Sequence, residues 1–343
     1  MITLEIFQQY IYSEEFLSRL QLPAGTKLAF SLLGQGEYNV NYSFRHPVTQ
    51  EQLVLRVNTG SQMHLEDQIG YEFSALKALF SSGRTPRPLF CDGSRRLLPY
   101  GVLVMARLPG RALRYETDLC QAAEILADIH SLPVPADCPL LAPGCPAQSI
   151  YEECLAMAEQ YLTWDRAEVR TARLLETLIQ EVGRLPLAEN GGAVKCMVNT
   201  ELNSGNFLIN EGACSYLVDW EKPLVSEAAQ DAAHFLAPTT TFWKTDVMLD
   251  QEAAGYFLEC YERAVDGRFD TKTLRERLPL FLPVTCLRGA SWCAMALREY
   301  SGPDRKLVNL DTLRRIRMYL SEDFLRHILD VYVSGDFLRG MPS

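Results

Sequence analysis

The chain has 343 residues, 48% of them hydrophobic, and a formal net charge of −10. That apolar share suffices for a sizeable buried core, and the length accommodates two or three domains or one large bilobal domain. The acidic balance argues against a general nucleic-acid binder, which needs clustered lysine and arginine, and is compatible with a cationic small-molecule ligand.

The N-terminus carries Glu5, Glu14 and Glu15 and lacks a basic start before an apolar run, so no signal peptide is expected. No stretch is expected to span a bilayer, and the chain is read as cytoplasmic, without a membrane partner. Ten cysteines, with no C-x-x-C pair, are expected to be reduced and mostly buried. The histidines (His46, His64, His130, His234, His327) show no metal-ligand spacing, so no zinc site is expected.

Residues 4–20 place apolar side chains at helical spacing and predict a first helix. From Lys27 the period changes: LAFSLLG, YNVNYSF and EQLVLRV predict three antiparallel strands joined by turns. Residues 66–80 predict a helix with Ile69, Phe73 and Leu76 on one face. Pro86 and Pro88 end it and begin an extended segment. GVLVMARL (101–108) predicts a buried strand closed by Pro109-Gly110. Helices are then predicted over 117–132, 149–162 and 167–182. The stretch 194–219 holds three short apolar runs, and almost everything from residue 228 has helical period. Strands segregate from helices, so the fold class is α+β: an antiparallel-sheet N-terminal lobe (1–108) and a mainly helical C-terminal lobe (109–343).

Gly34-Gln35-Gly36, with Asn39, falls between two strands that should pair. A dinucleotide fingerprint would need a helix after the glycines, so the arrangement fits a hairpin loop covering nucleotide phosphates. Alone, the same residues fit an ordinary glycine turn. VLRV places one cation, Arg56, inside an apolar strand, where a charge is costly unless paired. Glu72 lies sixteen residues on, on the following helix. A strand cation paired to a helix carboxylate can hold phosphates; separately, each residue fits a solvated surface charge. In 198–221, Glu201 precedes Asn206 by five residues, and a second strand is expected to end in Asp219. Phosphoryl transfer needs a group to take the hydroxyl proton and hard oxygen ligands for magnesium. Glu201 answers the first need, Asn206 and Asp219 the second. A polar hairpin with turn-capping Asn and Asp is the alternative.

Taken in order, these segments resemble the aminoglycoside phosphotransferase and choline kinase family, with a protein-kinase-like fold. LLGQGEYNVNYSF resembles the nucleotide-covering loop, VLRV the strand with the phosphate-binding cation, YEFSALKAL the helix bearing its Glu partner, and GVLVMARLPGRAL the hinge. LADIHSLP is similar to a helix end of the family, and SGNFLI, YLVDWEKP and QDAAHFL to the stretch holding the magnesium-binding Asn206 and Asp219 and a structural Asp231. The resemblance departs where the family has His-Gly-Asp: here stand Asn199-Thr200-Glu201, with Arg56 in place of lysine. The base would be Glu201, one methylene longer than Asp, and Thr200 adds a side chain where glycine is usual. The resemblance implies an enzyme that transfers phosphate from ATP (or GTP), with Mg2+, to a hydroxyl of a small molecule. Gly34, Gly36, Asn39, Arg56 and Glu72 would bind nucleotide, Asn206 and Asp219 metal, and Glu201 would be catalytic. The alternative is a nucleotide-binding pseudokinase with weak or no turnover; a relic binding a non-nucleotide ligand ranks third. Trp243, Trp292, Tyr300, Glu259 and Glu299 are candidate substrate-pocket residues, since aromatics with carboxylates suit a cation.

Overall fold

The computed structural model describes residues 4–36, 38–189, 191–302, 310–334 and 337. In chain order the elements are α1 (Leu4–Ile11), α2 (Glu14–Arg19), β1 (Phe30–Gln35), β2 (Asn39–Arg45), β3 (Gln52–Asn58), α3 (Gln68–Leu79), β4 (Pro88–Asp92), β5 (Gly101–Ala106), β6 (Arg111–Ala112), α4 (Leu119–His130), α5 (Pro146–Leu162) and α6 (Val169–Val182). There follow β7 (Lys195–Val198), a 3-10 turn (Ser204–Asn206), β8 (Phe207–Ile209), β9 (Tyr216–Leu217), β10 (Leu224–Glu227), α7 (Ala228–Leu236), α8 (Pro238–Lys244), α9 (Gln251–Val265), α10 (Leu274–Tyr300), α11 (Leu310–Tyr319) and α12 (Glu322–His327). The chain forms two compact units. One comprises residues up to Arg111 with Pro135–Leu140 and Leu208–Pro223; the other comprises Ala112–Val134, Leu141–Phe207 and everything from Leu224 on.

The first unit is built on an antiparallel sheet of order β1-β2-β3-β5-β4. The expected three strands are its first three. β3 is a central strand, pairing with β2 on one side and β5 on the other, so Arg56 faces Asn41 and Leu103 across the ladder. The surface-charge reading of Arg56 therefore fails: a central strand has no solvent edge, and the residue is 5% exposed. The single helix expected over 4–20 is two helices. Ser13 interrupts it and caps α2, its Oγ accepting from Phe16 N at 3.2 Å, with Glu14 and Glu15 in the first turn. Capping and the helix dipole outweigh continuation of the apolar period. Phe7, Phe16 and Leu17 pack with Phe44, Leu55 and Val104 in the core of this unit.

Pro109-Gly110 closes the segment after β5, and here glycine is required. Gly110 has φ +139°, and a Cβ there would fall 2.7 Å from Leu208 Cβ and 2.8 Å from Leu208 C. Gly110→Ala is therefore expected to cost about 2 kcal/mol or more, from strain and a backbone clash together. The urea midpoint reads it directly; a loss below half a kcal/mol would mean that the chain at 110 relaxes freely.

The second unit is helical apart from β7 paired antiparallel with β10, Val198 opposite Leu224. Two expectations are corrected in it. Cys120 on α4 and Cys260 on α9 form a disulfide, with Cα atoms 5.2 Å apart, and of the eight remaining cysteines half are buried. No spacing motif announces a pair 140 residues apart. Second, the 27-residue α10 is long and apolar enough to cross a membrane, which the sequence reading denied. Yet 72% of its most apolar stretch is buried inside the protein. Its Arg277 is held by Glu227 at 2.6 and 3.0 Å, as suits the core helix of a globular unit.

Candidate functional site

In the first unit, Arg56 organises the charged residues. Its Nε donates to Asn41 Oδ1 at 3.0 Å, and its Nη1 donates to Glu72 Oε1 at 2.6 Å and to Asp219 Oδ1 at 3.0 Å. Its Nη2 has no hydrogen-bond partner among the described residues. Glu72 is 1% exposed and its Oε2 is buried without a hydrogen-bond partner among the described residues. Burial pushes the Glu72 carboxyl above its usual value, against the pull of Arg56 and with added repulsion from Asp219. The Arg56 guanidinium is held protonated by Glu72, Asp219 and Glu221, although burial opposes it. Asp219 keeps 35% of its side chain exposed. It does not end a strand as expected: β9 stops at Leu217, and Asp219 follows in the left-handed region at φ 66°. A short polar side chain tolerates that conformation, which turns the carboxylate back to Arg56. Trp220, 1% exposed with Nε1 donating to Leu217 O at 3.0 Å, fixes the turn.

The glycine loop joins β1 to β2. Gly36 N donates to Asn39 O at 2.9 Å. Neither Gly34 nor Gly36 has positive φ; a Cβ at Gly34 would meet nothing within 4 Å, and one at Gly36 only Asn39 O at 3.9 Å. The turn thus needs glycine at neither place for its own conformation, which weakens the ordinary-turn reading. Asn39 is engaged at both ends of its amide. It donates to Glu221 Oε2 and accepts from Asn58 Nδ2 at 2.9 Å, while Gln68 Nε2 holds Glu221 O at 2.7 Å. Asn41, Asn58, Gln68 and Glu221 are residues of this cluster to which the sequence assigns no part. Asn41 was a polar residue in an alternating strand, and only the β2–β3 register places it opposite Arg56.

In the second unit, Asn199-Thr200-Glu201 follow β7 in a tightly held turn. Asp231, 0% exposed, accepts from Asn199 N at 2.8 Å through Oδ2 and from Thr200 N at 2.9 Å through Oδ1. His130 Nε2 lies 3.2 Å from Asp231 Oδ2, and its Nδ1 lies 2.9 Å from Tyr261 OH. A carboxylate only accepts, which places the imidazole proton on Nε2 and leaves Nδ1 to accept from the Tyr261 hydroxyl. Nε2–H then donates to Asp231. His130 and His234 thus stand near helix ends in bonded positions. Thr200 adopts φ 68°, a glycine-like conformation, despite being β-branched. Asn199 Oδ1 accepts from Glu201 N at 2.9 Å, Asn206 Nδ2 donates to Glu201 O at 2.6 Å, and Leu202 N donates to His234 Nδ1 at 3.2 Å. The backbone on both sides of Glu201 is therefore fixed. Asn206 Oδ1 has no hydrogen-bond partner among the described residues, and the side chain is half-buried.

So the expected residues assemble as two groups: Arg56, Glu72 and Asp219 in the first unit, and Glu201 with Asn206 in the second. Trp243 and Trp292 pack edge to face at 5.4 Å, whereas Glu259 and Glu299 lie exposed. A recess of about 740 Å3 among the C-terminal helices, bordered by Phe242, Arg314 and Phe324, includes none of the expected site residues. Among the described residues, no three His, Cys, Asp or Glu cluster as a metal site.

Residues 29–266 match the family model described as the phosphotransferase enzyme family. No curated protein matches the chain significantly. Among solved structures, a Ralstonia eutropha protein assigned as an aminoglycoside phosphotransferase is 13% identical, with a TM-score of 0.64 over 96% of this chain and 98% of that one. The choline kinase of Streptococcus pneumoniae is 17% identical, with a TM-score of 0.59 over 93% and 99%. An amicoumacin kinase bound to AMP-PNP and Ca2+ is 14% identical, with a TM-score of 0.59 over 91% and 90%. The shared fold is the protein-kinase-like one, mixed α+β as expected.

Proposed function

This chain belongs to the phosphotransferase enzyme family, and from that premise we propose that it transfers the terminal phosphoryl group of ATP or GTP to a hydroxyl of a small molecule. The Arg56 guanidinium carries the reading. Asn41 holds its Nε, Glu72 and Asp219 share its Nη1, and Nη2 has no hydrogen-bond partner among the described residues. A buried cation pre-set by neighbours on its other nitrogens suits a phosphate oxygen. Gly34 and Gly36 leave the loop backbone bare, so that phosphates can approach it, and Asn39 anchors the loop's far end to Glu221. Residues 1–108 would serve the nucleotide and 109–343 the acceptor.

Asn206 Oδ1 and the Asp219 carboxylate are hard oxygen donors of the kind Mg2+ takes alongside phosphates. The amicoumacin kinase with AMP-PNP and Ca2+ supports a nucleotide with a divalent cation; when bound, that cation would neutralise charge on the phosphates. Glu201 would accept the hydroxyl proton as the hydroxyl oxygen bonds to phosphorus and the bond to the departing nucleotide diphosphate breaks. A cytoplasmic setting, with neither nucleic acid nor membrane as partner, belongs to the same proposal. The pseudokinase alternative draws on one observation: Asn199 is spent on Glu201 N and so acts as a brace within the turn.

The expected result is a melting-temperature rise of several degrees with ATP plus Mg2+, as for a ligand near 100 times its dissociation constant (about 2.7 kcal/mol). Either component alone should give much less, and Asp219→Asn should abolish the dependence on Mg2+. A protein silent to both ATP and GTP with Mg2+ would sink the reading. A rise without turnover on any hydroxyl acceptor would favour the pseudokinase.

A further inference from the structure

A covalent tie joins α4 to α9 within the second unit. Cys120, the second residue of α4, is half-buried, and its Sγ lies 3.3 Å from the hydroxyl of the exposed Tyr256. Its partner on α9, Cys260, is 2% exposed. The other eight cysteines are free, among them the exposed Cys214 and the half-buried Cys91, Cys138 and Cys145. A chain that keeps accessible thiols free beside a single disulfide does not use cysteine as a framework. One pair, half open to solvent, is the pattern of a redox-responsive bond.

The same two helices carry the inner support of the Glu201 turn. Tyr261 follows Cys260 in the chain, and its hydroxyl donates to Nδ1 of His130, the last residue of α4, at 2.9 Å. His130 Nε2 lies 3.2 Å from Asp231 Oδ2, and Asp231 takes the amides of Asn199 and Thr200 at 2.8 and 2.9 Å. Three hydrogen bonds in series therefore run from the residue after Cys260 to the residue before Glu201. His130, Tyr261 and Asp231 are all buried, so solvent does not replace a bond lost among them. Thr200 holds φ 68°, a conformation that a β-branched residue keeps only while its surroundings enforce it.

On the phosphotransferase reading this turn carries the carboxylate that takes the hydroxyl proton. Resting on that reading, we propose that Cys120–Cys260 is a thiol-controlled switch on Glu201: the disulfide ties α4 to α9 and keeps the turn gripped, and reduction releases it. The reductant is a dithiol. Its thiolate attacks Cys120 Sγ, the sulfur nearer solvent; the S–S bond breaks, and Cys260 leaves as a thiolate and takes a proton from water. The reductant's second thiol, deprotonated, then attacks the reductant's own sulfur in the mixed disulfide. Cys120 leaves as a thiolate, takes a proton in turn, and the reductant ends as a cyclic disulfide. Two electrons pass from the dithiol to the protein. A small-molecule disulfide reverses the change and is itself reduced to two thiols. Without the covalent tie, packing and noncovalent bonds alone oppose local opening of α4 from α9, and each opening breaks the bond between His130 and Tyr261.

The test follows amide hydrogen exchange in the full chain, oxidised and after dithiothreitol, and needs no acceptor. Asn199 and Thr200 should exchange about ten-fold or more faster in the reduced protein. Amides of α6, which packs chiefly on α5, α10 and α12, should change by less than about two-fold. Oxidised glutathione should restore slow exchange. Cys120→Ser should match the reduced parent with or without dithiol, and Tyr261→Phe, which keeps the disulfide, should exchange fast without it. The reduced parent carries the test free of any substitution. For ATP hydrolysis with Mg2+, water being the acceptor, reduction should lower kcat about ten-fold or more and leave the KM for ATP within about two-fold, because Arg56 and Asp219 belong to the other unit. Any of four results overturns the proposal. Dithiol could lower the melting temperature and leave Asn199 and Thr200 unchanged, which is a structural staple. It could speed exchange equally in α6, which is general loosening. Cys120→Ser or Tyr261→Phe could exchange as slowly as the oxidised parent. Or kcat could be the same in both redox states. A parent that neither responds to ATP–Mg2+ nor hydrolyses ATP counts against the phosphotransferase reading instead, and exchange alone then decides on the switch.

Discussion

Arg56→Ala is expected to lose about 3–5 kcal/mol of folding stability, the usual cost of removing one partner of a buried ion pair. The loss comes less from the missing attraction than from what stays behind. Glu72 is 1% exposed, its Oε2 already lacks a partner among the described residues, and burial already pushes its carboxyl upward. Without Arg56 that upward shift grows. A carboxyl whose folded value lies above its unfolded one contributes stability at low pH and loses it as pH rises through the folded value. The deficit of Arg56→Ala should therefore be greatest at neutral pH and shrink on acidification. Arg56→Met combined with Glu72→Met should recover most of the stability, since two apolar side chains bury no unpaired charge. Both variants should lose the ATP–Mg2+ melting shift, because neither offers a guanidinium to phosphate. Urea midpoints at two pH values and the nucleotide shift together separate scaffold from ligand roles. A single variant within 1 kcal/mol of the parent would mean that Glu72 finds water or another partner.

Several parts of this arrangement were legible in the sequence, and the reasons differ. β3 could be read because a lone cation in VLRV is conspicuous against apolar neighbours, and Glu72 because a helix follows at the right remove. Glu201 and Asn206 could be read because five residues separate them, so local turn geometry alone brings the Asn206 amide to the Glu201 carbonyl. Asn41 and Glu221 were not legible. Each has the residue type of a solvated surface, and only strand register or a distant turn brings it to Arg56 or Asn39. The left-handed backbone at Asp219 and Thr200 was hidden for a different reason: neither residue type signals positive φ. Tertiary hydrogen bonds, from Arg56 in one case and to Asp231 in the other, hold what local preference would not choose. The disulfide between Cys120 and Cys260 depends on how helices far apart in the chain meet, which periodicity does not encode.

Asp231 accounts for most of the order around Glu201, and Asp231→Ala is expected to be the most damaging change in the second unit. Its carboxylate takes Asn199 N, Thr200 N and the His130 Nε2 proton. Removing it strands two buried backbone donors and the imidazole. Each unsatisfied buried donor costs about 1–3 kcal/mol, so a loss of about 3–5 kcal/mol is expected on the urea midpoint. Thr200 at φ 68° has no reason to remain there once its amide is released. The chain would relax toward a right-handed or extended turn and carry Glu201 with it. A displacement near 1 Å at a catalytic group costs on the order of 10²-fold in rate, so surviving folded protein should show turnover reduced by at least that much, with ATP–Mg2+ binding less affected. Glu201→Ala provides the contrast, because the turn is held by backbone bonds that do not involve the Glu201 carboxylate. It should stay within about 1 kcal/mol of the parent in stability while losing turnover. If Asp231→Ala keeps both stability and turnover, the Asn199–Thr200 amides find other acceptors and the turn is not what positions Glu201. If Glu201→Ala keeps turnover while Asp231→Ala loses it, the turn positions the acceptor, and the proton leaves by another group.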